Sequence, residues 1–461
     1  MQKPWSGNLY SRSEYWSQHR HHGNRLVRMS SPARHEAVTS GGSRILCPHV
    51  ATGLLRKDDG SEGSNFAKLE KPGLLEKAAT SVSGETWRRQ RKAVERAFGG
   101  GVAAQRRRHQ PSCTASSKAL CSWAQQGYVD DARELAAEVA ARGMVTAAAG
   151  EADSDATGAI QGLEKALLNF FDETLSAQHG PVARALDVAC EAALSVQKEG
   201  CETLMQRLRD QGDALSHEEV RANSHSALIA GFQAFAVLLL CCLLELADQP
   251  KLQAQLAEEA KSKGSEGLGS GTIVSAILKE TLRVYPPISG LPRVTTAEAC
   301  SGTQGDENAG EAQPLTGAEP VTLPAGHYVV VDLLAAAHSG TGQFGDSWIW
   351  APLATEDASS STPSPEGEGL MACPFGVGPR KCPAGTLTLA QVGYVLHALS
   401  LEFTWRLPRQ DSVLARMALR CCSRRRSVRG TRPEPPDWRY FITHSPTLAF
   451  TQAIPLQFTR R

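Results

Sequence analysis

The sequence has almost no excess of charge of either sign. Its 461 residues include 49 Lys and Arg against 48 Asp and Glu, which gives a formal net charge of +1. A protein that neutralises nucleic-acid phosphates needs a basic excess, and an acidic disordered chain needs the opposite. We therefore expect no nucleic-acid partner. Hydrophobic residues make up 41% of the chain, which is enough for a sizeable core.

The sequence also lacks any pair of cysteines with the CxxC spacing. Twelve cysteines in a chain of this length are too few for a disulfide scaffold. Two adjacent pairs, Cys241 with Cys242 and Cys421 with Cys422, are poorly spaced for a zinc site. We therefore expect mostly free thiols in a reducing, intracellular compartment.

No apolar run is long enough for a membrane anchor. The most apolar stretch, residues 235–247, is well short of the ~20 residues that span a bilayer. Residues 1–40 are rich in Arg, Ser and His, which is typical of either a disordered tail or an organellar targeting segment. The expected compartment is intracellular, with a plastid or mitochondrion as candidates, and membrane contact is expected to be peripheral at most.

Most of the chain has the pattern of α-helices. Ser216 and Glu219 form a capping box, and the helix that follows runs to about Asp248. This helix is apolar on all sides in its second half, so it must cross the core of a large domain. The other predicted elements are helices at 83–98, 131–148, 158–171, 183–210, 271–284 and after residue 384, and strands near 321–323, 327–333, 448–451 and 456–459. The predicted fold class is mainly α with small β-sheets.

Residues 374–385, PFGVGPRKCPAG, carry the sharpest chemical signal. Cys382 stands just before a predicted helix N-terminus, whose dipole and free backbone N–H groups stabilise a thiolate. Arg380 and Lys381 add positive charge, and the glycines allow a tight turn close to a flat ligand. Such a loop suits a haem iron ligated by sulfur, with Arg380 on a propionate. The alternative is a buried cysteine in a glycine-rich turn.

The spacing F-G-x-G-x-R-x-C in this segment resembles the haem-binding loop of the cytochrome P450 family. Five positions match: Phe375, Gly376, Gly378, Arg380 and Cys382. Two further segments resemble the family's motifs in the family's order along the chain, although each is weak alone. They are Trp87 with Arg91 at the Trp-x-x-x-Arg spacing and Glu280 with Arg283 at the Glu-x-x-Arg spacing.

The resemblance implies a haem b cofactor whose iron is held by Cys382, in a haem domain spanning 41–461 with inserts near 299–319 and 354–368. It implies a monomeric monooxygenase that hydroxylates an apolar small molecule with dioxygen and takes electrons from a flavoprotein reductase or a ferredoxin. The residue roles that it implies are propionate binding by Trp87, Arg91, Arg293 and Arg380, packing of Phe375 beside the sulfur, and a structural pair of Glu280 with Arg283.

Two departures keep other functions open. The family usually has an acid and a Thr on the distal helix, where this chain has Ala230, Gly231, Gln233 and Ala234. Gln and Ala supply no acidic proton, so an isomerase, dehydratase or lyase acting on lipid hydroperoxides without a reductase is the alternative.

Residues 350–354, WAPLA, occupy the place of the family's aromatic-x-Pro-Glu-Arg. The arginine expected to join Glu280 and Arg283 is therefore missing. That absence favours a third hypothesis, a degenerate family member without turnover.

Overall fold

The computed structural model describes residues 73–461 with gaps, together with three short strands before residue 73. The gaps after residue 73 are 100–101, 152–156, 170–179, 198–201, 265–270, 296–298, 301–321, 324–325, 327, 335–349, 354–373, 409–441, 445–447 and 451. The predicted basic tail lies outside the described residues apart from one strand at 27–29. So do the predicted inserts, apart from residues 299–300.

Helices account for most of the described chain, so the prediction of a mainly α fold is confirmed. They are α1 Gly84–Phe98, α2 Val102–Ala124, α3 Ala132–Ala149, α4 Thr157–Asn169, α5 Pro181–Ser195, α6 Leu204–Arg209, α7 His217–Ala247, α8 Pro250–Lys263, α9 Ile273–Val284 and α10 Gly385–Glu402. Short 3-10 turns occur at Gly73–Leu75 and Gly212–Ala214.

The strands form small sheets beside the helices, as predicted. They are β1 Val27–Met29, β2 Gly42–Ile45, β3 Phe66–Ala67, β4 Tyr128–Val129, β5 Gly290–Thr295, β6 Ala299–Cys300, β7 Thr322–Leu323, β8 Tyr328–Asp332, β9 Phe403–Arg406, β10 Ile442–His444, β11 Leu448–Phe450 and β12 Leu456–Arg460. The largest sheet has the order β1-β2-β8-β5-β3, in which only β2 and β8 are parallel. A second sheet has the order β4-β12-β9, and β10-β11 and β6-β7 are two-stranded.

The long helix α7 crosses the core, as its sequence predicts. The Ser216 hydroxyl accepts from the Glu219 N–H at 3.2 Å, and the Glu219 carboxylate accepts from the Ser216 N–H at 2.9 Å. This capping box fixes the first turn of α7. From Phe235 to Ala247 every residue is buried, because α3, α9 and α10 pack around this half of the helix.

Two helical predictions differ from the structure. Residues 183–210 were predicted as one helical stretch, but the chain forms α5 and then α6, which begins where the Thr203 hydroxyl accepts from the Gln206 N–H at 3.2 Å. The helix α2 was not predicted, since it follows a run of glycines and contains Pro111. It forms because it packs against α3 and α10, and this tertiary contact outweighs the local penalty of proline.

Three histidines are kept neutral by burial, which predicts acid sensitivity. Desolvation lowers the pKa of His109 and of His225 to about 4, and it also lowers the pKa of His397. In the unfolded chain these groups bind protons below about 6.5, whereas in the folded protein His109 and His225 stay neutral until near pH 4. The free energy of unfolding is therefore expected to fall as the pH drops from about 6.5 to about 4, as urea titrations at several pH values would show.

His225 offers the sharpest check of this acid sensitivity. It is 1% exposed, and the charges that act on it come from Asp187 and Glu191 on α5 and Arg221 on α7. From the shift of its pKa to about 4, protonation of His225 can lower the free energy of unfolding by at most roughly 3 kcal/mol. His225→Gln should therefore flatten the pH dependence in this window. An unchanged slope in the variant would contradict the assignment.

Candidate active site

The segment that contains Cys382 is a tight loop leading into α10. Gly376 and Gly378 have φ of 75° and 74°, a region that residues with a side chain rarely adopt. The Cys382 N–H donates to the Phe375 carbonyl at 2.9 Å, and the Lys381 N–H donates to the Gly378 carbonyl at 3.0 Å. The loop is therefore closed by its own backbone and presents the cysteine at its end.

Among the cysteines that the structure describes, Cys382 alone is exposed. Desolvation raises the pKa of its thiol, but the backbone N–H groups of Ala384 and Gly385 and the charges of Arg91 and Lys381 oppose this shift. Desolvation is also the largest cause for two core cysteines, and it raises the pKa of Cys113 and of Cys242 to about 12. The N–H groups at the helix start and the Lys381 charge thus act on Cys382 in the predicted direction, and Arg91 adds a charge not predicted for this role, but desolvation outweighs them all.

Phe375 packs directly on the first residue of α10. A Cβ atom on Gly385 would lie 3.1 Å from Cγ of the Phe375 ring, closer than side chains normally approach. The ring is half-buried and lies against the core. Glycine at 385 therefore lets the helix start beside the aromatic ring, and this contact fixes the distance between the loop and α10.

One face of α1 holds the cysteine loop. Arg91 Nη2 donates to the Lys381 carbonyl at 2.6 Å. The Arg380 guanidinium lies 4.5 Å from the centroid of the Trp87 ring. It also donates to the Val82 carbonyl at 3.2 Å, just before α1 begins. The structure thus brings Trp87, Arg91, Arg380 and Cys382 together.

The adjacent face of α1 holds the long helix α7. Arg89 donates to the Glu219 carboxylate through its two terminal nitrogens, Nη1 at 2.8 Å and Nη2 at 2.6 Å. This ion pair lowers the pKa of Glu219 to about 2. Gln90 Nε2 donates to Glu219 at 3.0 Å, and Gln90 Oε1 accepts from Asn223 at 2.9 Å. The sequence analysis did not single out Arg89, Gln90 or Asn223, yet they fix α1 between α7 and the cysteine loop.

The middle of α7 is open on one side, although the rest of the helix is largely buried. Ala230 is exposed, and Ala227 and Ala234 are half-buried. Gly231 packs on α3, where an added Cβ would overlap the Met144 side chain. Gln233 is buried, with 9% of its surface exposed. Of the predicted distal residues, Ala230 and Ala234 therefore face open space, whereas Gly231 and Gln233 face protein.

Glu280 and Arg283 form a buried ion pair on α9. Arg283 donates Nε and Nη2 to the two carboxylate oxygens, each at 2.7 Å. The Ala351 N–H donates to Glu280 Oε1 at 3.1 Å, and Trp350 Nε1 donates to Thr281 Oγ1 at 3.0 Å. The segment that lacks the family's third arginine thus contacts α9 through a backbone N–H and an indole.

Arg293 lies on β5 and is 5% exposed, and its Nη1 donates to the Pro292 carbonyl at 2.8 Å. The donor set at the loop fits a haem: a cysteine at a glycine turn, the two arginines Arg91 and Arg380, and an indole beside one of them. Within the described residues no cluster of His, Cys, Asp and Glu has the arrangement of a metal site of its own.

Comparison with known proteins supports the family that the sequence resembles. The cytochrome P450 family model matches residues 156–300, which include α7 and the Glu280–Arg283 pair but end before the cysteine loop. Strychnine-11-hydroxylase of Strychnos nux-vomica is 28% identical over 216 residues, 44% of this chain and 38% of that protein. 11-Oxo-beta-amyrin 30-oxidase of Glycyrrhiza uralensis is 28% identical over 207 residues, which are 42% and 34% of the two chains. Cytokinin hydroxylase of Arabidopsis thaliana is 27% identical over 190 residues, 39% and 31%.

The aligned part thus spans about a third of the length of these relatives. These matches support membership of the cytochrome P450 family, and that family implies a haem cofactor. Among the described helices, α7 alone is long and apolar enough to cross a membrane, but 78% of its most apolar window is buried inside the protein. Core packing accounts for that apolar character.

Proposed function

We propose that the protein is a haem-thiolate monooxygenase that inserts one oxygen atom from dioxygen into an apolar organic substrate. The observation that carries this proposal is the exposed Cys382 at the end of a glycine turn, held between Arg91 and the start of α10. Family relatives named as hydroxylases and an oxidase support the reaction class. Electrons would come from a flavoprotein reductase or a ferredoxin.

The residues of the site would hold haem b from several elements. Cys382 would ligate the iron through sulfur, and Phe375 would shield that sulfur from water. Trp87, Arg91, Arg293 and Arg380 would bind the propionates through charge-assisted hydrogen bonds. The haem would supply the binding and reductive activation of dioxygen. Ala230 and Ala234 would border the substrate side, where small apolar side chains leave room for a ligand.

A second candidate function is favoured by the distal residues themselves. Ala234 has no hydroxyl, and the Gln233 amide is no acid, so neither side chain can deliver a proton. An isomerase, dehydratase or lyase acting on a lipid hydroperoxide needs no such delivery. This enzyme would turn over without any external reductant.

The deciding experiment is a carbon monoxide difference spectrum of the dithionite-reduced protein, followed by turnover assays with and without a reductase. We expect the Soret band of thiolate-ligated iron and turnover only with reductant. Turnover of a hydroperoxide without reductant would instead establish the second function. A folded protein that lacks the band would be a family member without this chemistry.

A further inference from the structure

A cavity lies on the side of α7 that faces α5. Its volume is about 390 Å³, and it is bounded by the turn at residues 73–77, by α5 and by the start of α7. Leu74, Ala183 and Ala222 form its apolar lining, and charged side chains surround them. Pockets for small ligands in proteins measure from about 300 to 1,000 Å³, so this cavity can hold a small organic molecule.

His225 lines this cavity with an unused acceptor. Its side chain is 1% exposed, and its Nε2 atom has no hydrogen-bond partner among the described residues. The ring is bonded to the backbone of Leu74, and this bond raises the pKa of His225, as a bond donated by the ring does. The ring is nevertheless neutral near pH 7, because desolvation lowers its pKa to about 4. A neutral imidazole has one donor nitrogen and one acceptor nitrogen, so Nε2 is a buried acceptor.

A carboxylate of α5 faces this nitrogen. Asp187 Oδ1 lies 3.5 Å from His225 Nε2, and Asp187 also lines the cavity. A carboxylate oxygen and the bare nitrogen of a neutral imidazole are both acceptors, so neither satisfies the other. Leaving a buried acceptor unsatisfied costs free energy, and a group with two N–H donors placed here would satisfy both atoms.

The charges around these two acceptors favour a positive group. Arg221 is shared by two carboxylates, since its Nε lies 3.6 Å from Asp187 Oδ1 and its Nη1 lies 3.7 Å from Glu191 Oε2. That oxygen of Glu191 is buried and has no hydrogen-bond partner in the described part of the chain. His217 contacts the other oxygen of Glu191 at 3.0 Å and is charged only when protonated. Two negative charges thus share one arginine.

The charges at the mouth of the cavity balance each other. Lys77 and Glu218 form an exposed ion pair across the opening between the turn and α7. Glu76 and Arg184 are also exposed and add one charge of each sign. A cation can therefore enter without crossing a positive rim.

This cavity lies on a different face of α7 from the predicted distal residues. His225 and Ala230 are five residues apart, which places them roughly 140° from each other around a helix with 3.6 residues per turn. Neither Ala230 nor Ala234 lines the cavity. The cavity is therefore separate from the candidate active site.

We propose that this cavity binds a small organic cation whose charged head carries two N–H donors, as amidinium and guanidinium groups do. One N–H would donate to His225 Nε2 and the other to Asp187 Oδ1. The apolar body of the ligand would lie against Leu74, Ala183 and Ala222. The bound cation would connect α5 with α7.

The test compares cations with neutral molecules of the same shape. Binding of acetamidinium and benzamidinium, and of acetamide and benzamide, is measured by calorimetry on the purified full chain at neutral pH. At least one amidinium should bind about tenfold more tightly than its amide, because hydrogen bonds between charged groups are stronger than neutral ones.

Asp187→Asn should abolish this preference. The substitution removes the charge, and the new amide can itself donate to His225 Nε2 and satisfy it. The Asp187 side chain is 35% exposed, so the variant is expected to fold, which circular dichroism would verify. His225→Phe removes the acceptor but keeps the charge, and it should lower the preference as well.

The control is Asp130→Asn, which makes the same change of charge at an exposed residue outside the cavity. It should keep the full preference for the amidinium. If the wild-type protein binds neither amidinium more tightly than its amide, the inference is wrong. A preference that survives in folded Asp187→Asn, or that is lost equally in Asp130→Asn, would also overturn it. None of these outcomes depends on the haem.

Discussion

Replacing Cys382 with serine is expected to abolish the thiolate-type band in the reduced carbon monoxide spectrum while leaving the fold intact. The loop is closed by the Cys382 N–H to the Phe375 carbonyl and by Arg91 on the Lys381 carbonyl, and neither contact uses the sulfur. Serine has nearly the same volume but offers an oxygen, which is a far weaker donor to iron than a thiolate. Spectra, bound haem per chain and circular dichroism would be measured together.

Cys121→Ser is the matched control. Cys121 is half-buried on α2, and desolvation raises the pKa of its thiol to about 11, so it is a poor candidate for a ligand. This variant should keep the full band. A band that survives in Cys382→Ser would contradict the assignment of the axial ligand, and so would equal loss of the band in the two variants.

Local signals explain which parts of the fold the sequence predicts well. The start of α7 is set by Ser216 and Glu219 three residues apart, and α9 ends at Val284, just before two prolines. The helix α2 has no such signal, because Pro111 and the preceding glycines disfavour a helix until α3 and α10 pack against it. Stabilisation that comes from distant elements leaves no trace in the local pattern.

In the candidate site, too, local motifs can be read from the sequence and long-range contacts cannot. The Trp87, Arg91 and Cys382 motifs are local spacings and can be found in the sequence, although their roles stay predictions. The contacts that align them join residues far apart, as in the bond from Arg91 to the Lys381 carbonyl across 290 positions. The sequence shows that residues 350–354 lack the arginine of the family's motif, but not that the Ala351 N–H lies at the Glu280 carboxylate. A backbone donor can come from any residue type, so no motif can reveal it.

Glu280→Gln is expected to destabilise the protein by about 3 kcal/mol, because it removes the negative charge that faces Arg283 in a largely buried place. The two side chains are 6% and 17% exposed, and two bonds of 2.7 Å join them. The carboxylate also receives the Ala351 N–H, so its loss weakens the attachment of residues 350–353 to α9. The free energy of unfolding from urea titration at neutral pH would measure the effect, and haem retention during dialysis should fall with it.

The chain supplies an exposed pair of the same spacing as a control. Glu258 and Lys261 have the same spacing, the same order and the same 2.7 Å separation, but their side chains are 73% and 55% exposed. Solvent screens such a pair, so Glu258→Gln should leave the urea midpoint unchanged. A similar loss in both variants would show that the Glu280 effect is a general one of removing a helix carboxylate. A loss confined to Glu280→Gln would show that the buried Glu280–Arg283 pair, together with the Ala351 N–H, stabilises α9.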